Sequence, residues 1–254
     1  MSAARGKLIL VPNTLDFGVA GDANLQDVLP LGVLHTASRL THWVAENAKT
    51  TRAFLKRVNA ITPLTHPLQD LSIIELPRPP KGGRPGPVVD LTPLLAPSLQ
   101  GHDIGLISEA GLPAVADPGA ALVHAAHAMK LEVVPLSGPS SLLLALAASG
   151  LNGQSFAFVG YLPTEAGDRG LRIRELESLS KRSAQTQLMI ETPYRNEALL
   201  TALLAHLRGD TLLSVSCGLT LPGAWTRTAT ATDWKASSTR LPADIPAVFC
   251  LLAR

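Results

Sequence analysis

The segment over residues 104–149 constrains the fold of this chain more than any other part of the sequence. A short apolar run, Ile104–Ile107, is followed by a turn of small and polar residues and an apolar helical stretch that reaches about Lys130. A second apolar run over 132–136 leads into another small-residue turn and another apolar helical stretch. Strands and helices that alternate with short connections are typical of parallel βαβ units. We therefore predict an α/β fold built on a parallel sheet.

Two turns of this segment follow neighbouring strands at their carboxyl ends. The first reads Ser-Glu-Ala-Gly over 108–111, and the second reads Ser-Gly-Pro-Ser-Ser over 137–141. Ligands of open α/β sheets bind at this edge, and small residues let a ligand approach the backbone. Asp117 stands just before Pro118-Gly119, where a carboxylate can accept from the first N–H groups of a helix. We interpret Asp117 as a helix cap.

Other apolar runs and amphipathic stretches predict the remaining elements. Strands are expected at 7–11, 41–45, 71–76, 156–160, 187–191, 212–217, 225–230 and 247–252. Helices are expected at 26–39, 50–58, 91–99, 168–180 and 196–208. The strands at 225–230 and 247–252 are expected to be antiparallel partners, so the second half is predicted to be α+β with a mixed sheet.

Ordered motifs across the middle of the chain resemble those of a known family. They read SEAGLPAVADPG, VVPLSGPSS, LAASGL, FAFVGYLP and ETPYR. In this order and spacing, the chain resembles the tetrapyrrole (corrin/porphyrin) methylase superfamily, and within it the branch of ribosomal RNA small subunit methyltransferase I. A polar, Gly-containing connector at 151–154 indicates a domain boundary, with an N-terminal parallel-sheet domain over 1–150 and a C-terminal mixed-sheet domain over 151–254. The resemblance implies a cofactor cleft between these domains.

The same resemblance implies an activity, a cofactor and partners. Proteins of this branch use S-adenosylmethionine to methylate the 2′-hydroxyl of a cytidine ribose in ribosomal RNA, and the resemblance implies a homodimer. Methyl transfer from a sulfonium requires alignment of the nucleophile with the methyl group. We therefore expect no metal ion and no compact catalytic triad.

The resemblance also places cofactor contacts in both halves of the chain. In the N-terminal half, the expected contacts are Pro12, Ser108, Glu109, Ala110, Gly111 and Leu112. In the C-terminal half, they are Phe158, Gly160, Tyr161, Leu162 and Pro163. Glu109 stands where the family usually has Asp, and it is the only candidate for a catalytic role; the general base stays unassigned.

The substrate side departs from the pattern of the branch. The first loop reads Asn13-Thr14-Leu15-Asp16 where the related RNA enzymes usually have Pro-Ile-Gly-Asn, and their His-Glu-His-Asn cluster is missing from the sequence. Two alternatives therefore stay open: a methylase of a tetrapyrrole or other small molecule, and a non-catalytic cofactor-binding relative. The first lacks the Gly-x-Gly-Pro-Gly loop of such enzymes. A nicotinamide-binding fold is disfavoured because no GxGxxG follows an early strand.

Charged residues indicate the function less strongly than the sequence motifs do. The net charge of +2 permits nucleic-acid binding without requiring it. The cationic Pro/Gly-rich stretch 77–87 predicts a loop that is either an RNA-contacting lid or simply solvated. Lys56, Arg57 and the charged helix at 168–180 are expected to form solvated faces. Glu191 is expected to pair with Arg195.

Cysteine usage and hydropathy indicate the compartment. Cys217 and Cys250 lie in apolar stretches without a metal-binding spacing, so we expect buried free thiols in a reducing environment. No apolar run approaches the length of a membrane span, and the N-terminal apolar run is too short for a secretion signal. A cytoplasmic protein is the expectation.

Overall fold

The computed structural model of the chain describes residues 5–16, 24–77 and 89–254. By its internal contacts the chain divides into two compact units, Met1–Pro139 and Ser140–Arg254. The helix just after this division packs on strands of the second unit. The domain limits 1–150 and 151–254 stay a prediction.

The first unit is built on a parallel sheet. Its strands are β1 (Leu8–Leu10), β2 (His42–Ala45), β3 (Ser72–Glu75), β4 (Ile104–Ile107) and β5 (Val133–Pro135). They lie in the order β3-β2-β4-β1-β5, and every pairing is parallel. The predicted parallel α/β architecture is confirmed, with β4 at the centre of the sheet.

Helices cover both faces of this sheet. They are α1 (Leu31–Arg39), α2 (Ala48–Ile61) and α3 (Ala120–Ala128), with shorter 3-10 segments at Leu25–Asp27, Leu68–Asp70 and Thr92–Gln100. The helix predicted at 91–99 is present, but as a 3-10 helix rather than an α-helix. Pro93 and Pro97 provide no backbone N–H, which disfavours an α-helix there.

Successive side chains of β2 point to opposite faces of the sheet, which explains why helices pack on both faces. Trp43 packs with Phe54 of α2 in the core on one face, whereas its neighbour Val44 packs with Leu122 of α3 on the other. The Trp43 indole Nε1 donates to the Leu40 carbonyl oxygen at 3.1 Å. Burial on both faces is usual for parallel sheets, and it leaves the strand ends as the place where ligands can bind.

The second unit contains a mixed sheet. Its strands are β6 (Phe156–Phe158), β7 (Thr186–Ile190), β8 (Leu212–Cys217), β9 (Trp225–Thr230) and β10 (Ala247–Leu252). Their order is β6-β7-β10-β8-β9, with β6 and β7 parallel and the other pairs antiparallel. This confirms the predicted α+β second half. The strands β9 and β10 do not pair with each other; each is an antiparallel partner of β8, which lies between them.

Four helices accompany this sheet. They are α4 (Ser141–Ser149), α5 (Ala166–Ser183), α6 (Asn196–His206) and α7 (Ala231–Lys235). One core cluster joins α5, α6 and α7 to the sheet, and another joins α4 to its opposite face. Cys217 and Cys250 are buried free thiols, as predicted, and burial raises the pKa of Cys250 to about 12. Across the described ranges, no helix is long and apolar enough to cross a membrane.

Candidate cofactor site

Asn13 ties the turn after β1 to the turn after β4. Its backbone N–H donates to the Gly111 carbonyl at 2.9 Å, and its side-chain Nδ2 donates to the carbonyls of Ser108 and Glu109 at 3.2 and 3.0 Å. Asn13 is buried, so these contacts satisfy an amide that would otherwise be costly to enclose. The first loop differs from the usual pattern of the RNA enzymes, yet here it fixes the central turn.

The turn after β2 holds Glu109 by both its backbone and its side chain. The Glu109 N–H donates to Glu46 Oε2, and Glu109 Oε1 accepts from Asn47 Nδ2, each at 2.9 Å. Asn47 Oδ1 also caps α2 by accepting from the Lys49 N–H at 2.9 Å. Within the described residues, Glu109 Oε2 has no hydrogen-bond partner. One carboxylate oxygen therefore stays available on a side chain that is otherwise held in place.

The turn from Ser108 to Leu112 depends on Gly111. Gly111 has φ +64°, a left-handed conformation that favours glycine. A Cβ there would also lie 3.3 Å from Leu15 Cδ2. Ser108 is buried, and its hydroxyl donates to the Ala110 carbonyl at 3.0 Å, while Leu112 is half-buried. All five predicted contacts of this turn thus belong to one tightly folded segment.

Asp117 belongs to the same edge of the sheet and does not cap α3. The helix begins at Ala120 after Gly119, which has φ +130°, and no side chain caps it. The cap prediction is wrong because Pro118 and Gly119 separate Asp117 from the first helical turn. Burial, then the charges of Glu46 and Glu109, raise the pKa of Asp117 to about 6, against the opposing effect of the Ser108 hydroxyl.

Pro12 is buried by the turn after β5. A Cβ added to Gly138 would collide with the Pro12 ring, so the turns after β1 and β5 approach each other as closely as a glycine permits. The turn role expected of Gly138 thus includes a packing role. Whether Pro12 also contacts a cofactor stays a prediction.

The predicted contacts of the second unit lie at and after the end of β6. Phe158 and Tyr161 are exposed, as is Pro163, whereas the Leu162 side chain is buried in the core beside α5 and α6. Gly160 has φ +72°, and its carbonyl accepts from the Ile190 N–H at 3.3 Å. The side chain of Leu162 serves this core, which leaves its backbone as the part open to a ligand.

The turn after β7 contains the expected pairing of Glu191 with Arg195. Arg195 Nη2 lies 3.0 Å from Glu191 Oε2. Glu191 Oε1 accepts from the backbone N–H of Thr192 at 2.8 Å and from its hydroxyl at 3.2 Å. This pairing is confirmed, and it gives the buried carboxylate three donors.

Two other charged residues were predicted to be solvated, and this is wrong. Arg57 forms a two-pronged contact with the buried carboxylate of Asp16, at 2.9 and 3.3 Å. Glu177 is buried and accepts from the Arg208 N–H and the Thr211 hydroxyl. The local charge pattern could not reveal partners this distant in sequence.

Other sequence predictions concern a metal, exposed charge and the cationic loop. The described residues contain no group of three or more His, Cys, Asp or Glu side chains arranged to hold a metal ion. Arg172 and Glu175 do form an exposed pair on α5 at 3.2 Å, as the mixed charges indicated. The loop prediction for 77–87 lies, apart from Pro77, outside the described residues.

A sequence profile of the tetrapyrrole (corrin/porphyrin) methylases matches residues 77–233, which contain the turn after β4 and the turns after β6 and β7. The chain belongs to this family. The match covers more than half of the sequence and confirms the family that the motifs indicated.

Curated relatives of this chain are named "Ribosomal RNA small subunit methyltransferase I". The one from Mesorhizobium japonicum is 38% identical over 139 residues, covering 54% of this chain and 46% of the relative. The one from Streptococcus pyogenes serotype M6 is 31% identical over 200 residues, covering 79% of this chain and 60% of the relative. The chain thus spans about half the length of the relatives that it matches. Their name is that of the branch which the sequence resembles.

Two solved structures share the fold. The crystal structure of the methyltransferase CobJ has a TM-score of 0.54 at 19% identity and covers 90% of this chain and 89% of its own. The crystal structure of uroporphyrin-III-C-methyltransferase from Thermus thermophilus has a TM-score of 0.52 at 18% identity. This match covers 98% of this chain and 92% of the other. These matches confirm the tetrapyrrole-methylase fold predicted for the chain.

Proposed function

We propose that this chain is an S-adenosylmethionine-dependent methyltransferase that methylates a ribose 2′-hydroxyl of small-subunit ribosomal RNA. The observation that carries the proposal is the interlocked set of turns at the carboxyl edge of the first sheet, centred on Glu109. Family membership supports methyl transfer, and the names of the relatives support ribosomal RNA as the substrate.

The residues of the first unit fit a nucleoside cofactor with a sulfonium group. Glu109 presents an oxygen without a hydrogen-bond partner in the described chain, suited to a hydroxyl or a cation, and the turn over 108–112 offers backbone groups beside a glycine. We propose Pro12, Ser108, Glu109, Ala110, Gly111 and Leu112 as contacts, together with Phe158, Gly160, Tyr161, Leu162 and Pro163 of the second unit. S-adenosylmethionine supplies the activated methyl group.

We propose Asp117 as the group that takes the proton from the substrate hydroxyl. A carboxylate with a pKa of about 6 is mostly ionised at neutral pH and is a better base than an ordinary aspartate. Glu109 is less suited to this role, because Asn47 holds its carboxylate and Glu46 holds its backbone N–H in place. The role of Glu109 is then to bind and orient.

Assembly and location follow from the same proposal. A homodimer in the cytoplasm, acting on ribosomal RNA, is what the family resemblance implies. Sedimentation of the purified chain tests the dimer, and a sedimenting species of monomer mass contradicts it.

One experiment separates the candidate functions. Calorimetry measures S-adenosylmethionine binding, and methyl incorporation is then followed into small-subunit RNA from cells that lack its ribose methylations. Binding followed by incorporation supports the proposal. Binding without incorporation favours a non-catalytic relative, incorporation into a tetrapyrrole instead favours the small-molecule alternative, and the absence of binding contradicts both methylase proposals.

A further inference from the structure

Exposed aromatic side chains concentrate at one place in the second unit. Among the described residues, every exposed Phe, Tyr or Trp lies on β6 or in the turns after β6 and β7: Phe156, Phe158, Tyr161 and Tyr194. The chain has only two tyrosines, and they occupy these two turns. Because β6 and β7 are parallel neighbours, both turns leave the same edge of the sheet.

Tyr194 is the most exposed of these residues, at 72%. Within the described part of the chain, its side chain makes no hydrogen bond and no ring contact. It therefore contributes little to the core of the unit. Single exposed apolar residues are normal on a protein surface, but a group of exposed aromatic rings at one edge of a sheet indicates a surface that contacts a ligand.

The backbone that carries Tyr194 is held rigidly. Pro193 to Arg195 form a 3-10 turn, closed by the Arg195 N–H donating to the Thr192 carbonyl at 2.8 Å. On either side of the tyrosine, Thr192 and Arg195 are anchored to Glu191, which is buried. The ring thus projects from a fixed base, so little backbone entropy is lost when a ligand binds.

One cationic residue, Arg169, follows the Tyr161 turn at the start of α5. Arg169 lies in the first turn of α5 and forms no ion pair within the described residues; its Nη1 donates to the Thr164 carbonyl. Positive charge beside exposed aromatic rings is typical of surfaces that bind single-stranded nucleic acid, where bases stack and phosphates meet cations. A hydrophobic protein partner would not need this charge.

We propose that Tyr194 stacks on an unpaired base of the RNA substrate. The inference rests on the proposed function, because it assumes that the substrate is RNA. It adds that the RNA is bound as a single strand and assigns a contact residue outside the cofactor contacts. The turn built by Glu191 positions the ring, and the ring provides a flat apolar surface that accepts any base.

The test compares Tyr194→Ala with Tyr194→Phe, which keeps the ring, and with Leu171→Ala, which removes another exposed side chain. Fluorescence anisotropy measures binding of one labelled RNA oligonucleotide, as a single strand and as a duplex. We expect Tyr194→Ala to weaken single-strand binding by about 5- to 150-fold, the range for one stacked base. Duplex binding and both control variants should stay close to the wild type.

Other outcomes overturn the inference. Unchanged single-strand affinity in Tyr194→Ala, or equal losses for strand and duplex, means that no base stacks on the ring. A loss of S-adenosylmethionine affinity, measured by calorimetry, would assign the ring to the cofactor. If the wild type methylates RNA while Tyr194→Ala binds it normally, only the stacking fails. If the wild type binds neither cofactor nor RNA, the proposed function fails with it.

Discussion

At the scale of single residues, the raised pKa of Asp117 should lower the stability of the folded protein at neutral pH and make the carboxylate a better base. Its carboxylate is half-buried, and this burial together with the charges of Glu46 and Glu109 raises its pKa from 3.8 to about 6. The folded protein therefore binds a proton more readily than the unfolded chain between these values. The stability that this residue contributes is present below pH 3.8 and is lost as the pH rises through 6.

Asp117→Asn should remove this pH dependence, because the amide stays neutral. We expect the free energy of unfolding of the variant, relative to the wild type, to increase by about 1 kcal/mol between pH 4 and pH 8 after allowance for solvent screening. Urea unfolding at the two pH values measures this difference. A difference that does not change with pH would show that the carboxylate is not perturbed.

Asp117 should also control the rate of methyl transfer. Without a proton acceptor, Asp117→Asn should lower the turnover rate by about 100-fold or more, with cofactor affinity nearly unchanged. The wild-type rate should decline below about pH 6, as the carboxyl group becomes protonated. A wild-type rate that is flat between pH 5 and pH 8, or full activity in the variant, would exclude Asp117 as the base.

At the scale of elements, Asn47 couples a helix to the site. Its Oδ1 caps α2 while its Nδ2 holds Glu109. Asn47→Asp keeps the cap acceptor but loses the donor, whereas Asn47→Ala loses both. We expect Asn47→Ala to lower the free energy of unfolding by about 1 kcal/mol, and Asn47→Asp to lower it less.

Both Asn47 variants should weaken S-adenosylmethionine binding, since both release Glu109. Asn47→Asp should be the weaker binder because its negative charge repels the Glu109 carboxylate that Asn47 holds in the wild type. Calorimetry and urea unfolding on the same samples separate the two effects. If cofactor affinity follows stability across the two variants, the coupling through Glu109 is refuted.

The proposed role of the turn after β4 in cofactor binding can be tested by placing a bulky side chain in it. Gly111→Trp places a bulky side chain at a left-handed position in the proposed cofactor site, so affinity for the cofactor should be lost. Gly223→Trp is the matched control, because Gly223 is also left-handed, with φ +79°, and a Cβ there meets nothing within 4 Å. Circular dichroism checks the folding of both variants. A folded Gly111→Trp protein with normal cofactor affinity would refute the placement of the site.

Among the elements, the strands could be predicted from the sequence, whereas the side-chain contacts between distant turns could not. Strands such as β4 and β10 were predictable because continuous apolar runs are forced into the interior. The contacts of Asn13 with Ser108 and of Asp16 with Arg57 were not, since each joins residues far apart in sequence. Asp117 was misjudged because the residues after it looked like a helix start, whereas Gly119 turns the chain before the helix begins.

At the scale of the whole molecule, sheet order determines which turns meet. The order β3-β2-β4-β1-β5 brings the turns after β2 and β1 to either side of the turn after β4. In the second unit, the parallel pair β6 and β7 likewise brings two turns to one edge. Motif order along the chain indicated the family, but only the strand order shows that Glu46, Asn47 and Asn13 surround Glu109.

A crystal structure of the chain grown with S-adenosylmethionine tests the central claim most directly. We predict that the cofactor contacts the turn over 108–112, with Glu109 Oε2 accepting a hydrogen bond or facing a positive charge. Electron density for the cofactor at another place, with the Ser108 to Leu112 turn covered by other parts of the protein, would contradict the claim.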